Sequence, residues 1–124
     1  MRAPTILICE DEPSLRELMR ISLRSDYAFA EAADAAEAIA LVDAVRPDVV
    51  LLDVMMPGGS GLSVLEHVRG NPELRDTLVV VISAFAADRD HRAAHDAGAN
   101  SFLKKPFDPD ELESLVEQLL ASRN

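Results

Sequence analysis

Hydrophobic positions along the chain alternate between two periods. Unbroken apolar runs stand at Thr5 to Cys9, Val49 to Leu52 and Leu78 to Ile82, all rich in Val, Ile or Leu. Such runs fit strands buried on both faces. Weaker strands are predicted at Tyr27 to Ala32 and Ser101 to Leu103. Between the runs, apolar residues recur at helical spacing. A first helix is predicted to open at Pro13, with Leu15, Leu18, Met19 and Ser22 on one face. A second opens on Asp34 and Glu37 as a capping box, carries Ala38, Ile39, Val42 and Val45, and stops at Arg46-Pro47. A third runs from about Gly61 through Leu65 and Val68 to Gly70. The last has Asp108 as cap, Pro109 at the first position and Glu111 at the third, followed by Leu112, Leu115, Val116 and Leu119. The fourth helix, Asp88 to Ala97, has only Ala93, Ala94 and Ala97 to bury, so it is expected to be loosely anchored.

Strand and helix thus alternate five times. Crossovers between parallel strands are right-handed, and helices must cover both faces of the sheet. The expectation is an α/β fold, a doubly wound five-stranded parallel sheet forming one domain over residues 1–124. In such sheets, sites form outside the carboxyl ends of the strands.

Composition narrows the function. The net charge is −10, which disfavours direct contact with nucleic acid or an anionic membrane. Cys9 is the single cysteine, so no internal disulfide can form. The apolar start, TILIC, is too short for a signal-peptide core, and nothing later approaches a membrane span. A cytoplasmic domain is the expectation.

The strand ends carry the candidate chemistry. Glu10, Asp11 and Glu12 follow the first strand and Asp53 follows the third. Ser83 follows the fourth, and Lys104, Lys105 and Pro106 follow the fifth. With the first and third strands adjacent, Glu10, Asp11 and Asp53 crowd their carboxylates, which is costly without a neutralising partner. A hard divalent cation suits an all-oxygen set, and Mg²⁺ suits one that supplies few carboxylates. Lys105 can add further positive charge. Glu12 reads as a solvated loop residue, and Cys9 as a small buried hydrophobe. His91 and His95 sit four apart but lack a third ligand for a metal.

ILICEDEP, VVLLDVMMPGGSG, VVVISA and GANSFLKKPFD, in this order, resemble the landmarks of receiver domains of two-component response regulators. The resemblance spans essentially the whole chain. It implies the strand order 2-1-3-4-5 of a flavodoxin-like, three-layer sandwich. It implies Asp53 as phosphoacceptor, with Mg²⁺ held by Asp11, by Glu10 through water, by Asp53 and by the Met55 carbonyl. It assigns Ser83 and Lys105 to the phosphoryl group, Ser83 and Phe102 to the switch, and a cis bond to Lys105-Pro106. The implied partners are a sensor histidine kinase or phosphotransfer protein as donor and a downstream effector protein or output domain as reader. A homodimer through the fourth and fifth units is a further expectation.

Some positions depart from the common pattern. Glu10 stands where aspartate is commoner, and Gly58-Gly59 loosens the loop after Pro57. Met55 and Phe85 lie two residues past Asp53 and Ser83, and are expected to shield a phosphoryl group from water. Two other functions compete with the switch. One is an adaptor that works without phosphate. The other is a Mg²⁺-dependent phosphatase, which would lack a general acid because Met55 occupies the usual position.

Overall fold

The computed structural model describes residues 3–54, 61–84 and 88–123, with backbone only over 88–91. In chain order the elements are β1 (Thr5–Cys9), α1 (Pro13–Ser22), β2 (Ala28–Ala32), α2 (Ala35–Val45) and β3 (Val49–Leu52). They continue with α3 (Leu62–Gly70), a short 3-10 turn at Pro72–Leu74, β4 (Leu78–Ser83), α4 (Asp88–Asp96), β5 (Ser101–Lys104) and α5 (Pro109–Ser122). The five strands are parallel, in the order β2-β1-β3-β4-β5.

Alternation along each strand sorts side chains into two cores. Ile6, Ile8, Val49, Leu51, Val80 and Ile82 point to the face covered by α1 and α5, where Met19, Leu23, Leu112 and Val116 meet them. Leu7, Cys9, Val50, Leu52, Val79 and Val81 point to the other face, against Ala38 and Val42 of α2, Val64, Leu65 and Val68 of α3, and Ala94 of α4. The central strands are buried on both sides, which accounts for their unbroken apolar sequence. Among the described side chains of α4, Ala94 alone is buried. This helix therefore contributes little apolar area, in line with its alanine-only pattern.

Capping fixes where helices begin. Asp34 Oδ1 accepts from the Glu37 N–H at 2.8 Å, and Glu37 Oε1 accepts from the Ala33 N–H at 2.7 Å. Asp108 Oδ1 accepts from the Asp110 N–H at 2.9 Å. The helix α1 begins on a cap not foreseen in the sequence. Glu12 is exposed, yet its carboxylate accepts from the N–H groups of Ser14 and Leu15 at 3.1 and 2.9 Å. Glutamate is an unusual cap, and here the Ser14 hydroxyl also donates to it at 2.7 Å. The predicted apolar face of α1 needs one correction. Met19 is fully buried, but Leu18 is 37% exposed, because Leu23 rather than Leu18 completes the contact with the core.

Element ends shift by a residue or so. Pairing of Ser83 with Lys104 extends both β4 and β5 by one residue, while β2 starts at Ala28 and α4 stops at Asp96. Gly98 follows α4 at φ +106, a conformation glycine adopts without strain, and the Arg69 side chain packs where a Cβ would stand. At the amino-terminal edge of the sheet, Asp48 is 8% exposed. It accepts from the Thr5 N–H at 2.7 Å and from Arg123 Nη1 at 2.8 Å.

Two outcomes are expected from this packing. Leu112→Ala should cost about 2–5 kcal/mol in urea unfolding, whereas Ile21→Ala, at a 64% exposed position, should change stability by about 0.5 kcal/mol or less. Burial, with a smaller contribution from Glu37, pushes the Cys9 thiol well above its ordinary range. A thiol reagent should therefore label native Cys9 only as fast as the chain opens, and labelling at the rate of a free thiol would contradict a buried β1.

Candidate functional site

The carboxyl ends of β1, β3, β4 and β5 form one rim, and backbone hydrogen bonds extend the sheet past the last strand residues to reach it. The Glu10 N–H donates to the Ala32 carbonyl at 3.0 Å and the Asp53 N–H to the Cys9 carbonyl at 3.0 Å. The Lys105 N–H donates to the Ser83 carbonyl at 2.9 Å. Every residue of the rim therefore inherits its place from the register of the strand before it. Gly61 holds the chain after Asp53, because a Cβ there would overlap the backbone of Asp53 and Val54.

One carboxylate oxygen from each of Glu10, Asp11 and Asp53 lies within 4.8 Å of the others. Glu10 and Asp53 are buried, at 1% and 3% exposure, while Asp11 faces solvent. Lys105 reaches in from the opposite side. Its Nζ donates to Glu10 Oε1 at 2.6 Å and to Asp53 Oδ2 at 2.9 Å. The second Glu10 oxygen accepts from the Glu12 N–H at 3.0 Å. Both oxygens of Glu10 are thus engaged within the protein.

Two buried carboxylates this close repel by roughly 3 kcal/mol at the effective dielectric of a protein site. Lys105 offsets that repulsion. Burial pushes the Glu10 carboxyl above its ordinary range, with Asp11 and Asp53 adding to the effect and the Lys105 and Glu12 bonds opposing it. Burial alone would lower the Lys105 ammonium, but its bonds to Glu10 and Asp53 outweigh this and raise it. Among the described residues, Lys105 is the cation that meets these carboxylates, one ammonium against three acids. The donor set is entirely oxygen, it combines buried and solvent-facing carboxylates, and it lies at a rim open to water. This chemistry fits a small hard divalent cation such as Mg²⁺.

The remaining residues singled out from sequence fall around this centre. Ser83 ends β4, is 1% exposed, and meets Lys105 through its carbonyl. Phe102 pairs with Val81 in register and packs, half-buried, on the core face shared with α2, α3 and α4. The Lys105-Pro106 bond is cis. Lys104 is exposed. Met55, Pro57, Gly58, Gly59, Phe85 and the His91 side chain lie outside the described residues. Sequence reasoning missed Arg16, whose Nη1 donates to the Glu10 carbonyl at 2.8 Å. The available signal was a basic residue in the helix that opens directly after the acidic loop.

Comparison with known proteins agrees with this geometry. Residues 6–117 match the family model described as the response regulator receiver domain. The chain is 33% identical over 119 residues to the phosphate regulon transcriptional regulatory protein PhoB of Escherichia coli, covering 95% of this chain and 52% of that one. It is 33% identical over 118 residues to the DNA-binding dual master transcriptional regulator RpaA of a Synechocystis species, covering 94% and 49%. It therefore spans about half the length of these relatives. Among solved structures, the receiver domain of the Francisella response regulator 1452 superposes with a TM-score of 0.89 at 26% identity, over 98% of this chain and 99% of that one. The sheet order, the rim of acids opposite a lysine, and a family match over nearly the full length lead to one conclusion: the chain belongs to the receiver domain family of two-component response regulators.

Proposed function

We propose that this domain is a phosphorylation-dependent switch whose phosphoacceptor is Asp53. The observation that carries the reading is the position of the Lys105 ammonium, 2.9 Å from Asp53 Oδ2, with the acids Glu10 and Asp11 gathered on the same oxygen cluster. An Asp53 oxygen attacks the phosphorus of a phosphohistidine on a sensor kinase or phosphotransfer protein. The new O–P bond forms as the N–P bond breaks, and the electron pair returns to the donor's imidazole, which takes up a proton. Asp11 and Asp53 would hold Mg²⁺, with Glu10 contributing charge and the Met55 carbonyl a further oxygen. When bound, the ion offsets negative charge on the transferring phosphoryl oxygens.

Lys105 is placed to shift its hydrogen bonds from Asp53 to a phosphoryl oxygen, so that the ammonium follows the negative charge as it moves outward. The Ser83 hydroxyl takes another phosphoryl oxygen. Its inward movement makes room that Phe102 fills, and the surface of α4 and β5 changes with it. A downstream effector protein, an output domain or a second copy of the chain reads that surface. Two of the relatives above are transcriptional regulators about twice as long, which supports an output of that kind. A groove lined by Leu15, Leu18, Ala84, Lys105, Pro106 and Phe107 opens beside the lysine and gives the donor an apolar approach. Water later cleaves the acyl phosphate, returning the Asp53 carboxylate and inorganic phosphate. The setting proposed is the cytoplasm; among the described residues no helix is long and apolar enough to cross a membrane.

Incubation with a small phosphodonor and Mg²⁺ should add one phosphoryl group to the wild-type chain by intact-mass measurement, and none to Asp53→Asn. A modified Asp53→Asn variant would refute the assignment, and an unmodified wild type would favour an adaptor that works without phosphate. Mg²⁺ alone should raise the melting temperature by about 5 °C at ten times its dissociation constant. That rise should vanish in Asp11→Asn, and its persistence there would exclude Asp11 as a ligand.

A further inference from the structure

Arg16 has no part in the transfer chemistry proposed above, yet its side chain is only 20% exposed and reaches the acidic loop. Its Nη1 donates to the Glu10 carbonyl at 2.8 Å, and its Nε donates to Glu31 Oε1 at 3.2 Å. Glu31 lies in β2, paired in register with Ile8 of β1, and Arg20 approaches its second oxygen at 3.8 Å. The Glu10 carbonyl belongs to the peptide plane from which Asp11 hangs, one residue past the end of β1. Other bonds hold the same short segment, among them Lys105 Nζ to Glu10 Oε1 and the Arg16 N–H to the Glu12 carbonyl. The Glu10 N–H is fixed to Ala32, Glu10 Oε2 to the Glu12 N–H, and the Glu12 carboxylate to the start of α1. Arg16 supplies the one described tie that runs from the body of α1 directly to the Glu10–Asp11 peptide.

A guanidinium in this place has two opposite effects on a cation. As a charge it repels the ion, so its removal would tighten binding. As a strut it fixes the Asp11 peptide before the ion arrives, so its removal would weaken binding. Glu31 decides between them. Its carboxylate, in contact with Arg16, cancels much of the charge at a distance but leaves the directional hydrogen bond to the carbonyl intact. We infer that Arg16 is a positioning residue that presets the Glu10–Asp11 peptide for a divalent cation. This rests on the reading of the acid cluster as the cation site. Lysine keeps the charge but has no planar fork to hold the carbonyl and Glu31 together.

The test is the affinity for Mg²⁺ by calorimetry, and for Mn²⁺ by electron paramagnetic resonance of the free ion, on the wild type, Arg16→Lys and Arg16→Met. Both variants should bind more weakly, Arg16→Met by about tenfold or more. Amide exchange at Asp11 and Glu12 in the metal-free protein should quicken in both. Affinity equal to wild type in Arg16→Lys, or tighter than wild type in Arg16→Met, overturns the inference, because a charge acting alone predicts those results. If Arg16→Met fails to fold, Arg16→Lys decides the matter. A wild-type chain that binds neither ion overturns the cation site itself, and the role of Arg16 with it.

Discussion

One ammonium group is shared by two buried carboxylates, and the order of the rim depends on that sharing. Lys105 touches Glu10 and Asp53 together, across 95 and 52 residues of sequence. A single cation cannot satisfy three neighbouring acids, so the free protein holds a residual repulsion at this edge. Packing keeps it in place. The sheet beneath is buried on both sides, and its register fixes the backbone on which each acid sits. Stability and readiness for a ligand therefore come from different parts of the molecule, the core supplying the first and the rim the second.

The two faces of the sheet are unequal partners. The face under α1 and α5 is sealed by large side chains, Met19, Leu112 and Val116. The face under α4 meets that helix through Ala94 alone among its described side chains. A helix held by so small an area is inexpensive to move relative to one that buries leucine and methionine. The aromatic ring of Phe102 lies on this second face.

Most of the fold was readable because its signals are local. Apolar runs, proline at first helical positions and the Asp34–Glu37 box each act within a few residues, and each appears in the structure where it was expected. The acids and the lysine were readable because the end of a buried strand announces where its next side chain emerges. What stayed hidden depends on partners far along the chain or on details of rotamer and register. The tie from Arg16 to the Glu10 carbonyl needs the loop to be folded first. The cap on α1 required glutamate to take a place that shorter side chains usually fill. Leu18 shares a helical face with Met19, but spacing marks the stripe without saying which edge of it a neighbour covers, and Leu18 stays exposed.

The opposite end of the sheet shows how differently the same residue type can behave. Asp48 is nearly as hidden as Asp53, but a backbone amide from the first strand and a guanidinium from the end of the last helix meet its oxygens. That carboxylate is settled, and it fastens the two extremities of the fold to the middle strand. The molecule is thus electrically polarised along its strands, quiet at the base and unsettled at the top. A newcomer carrying compensating charge finds work to do at only one of these poles.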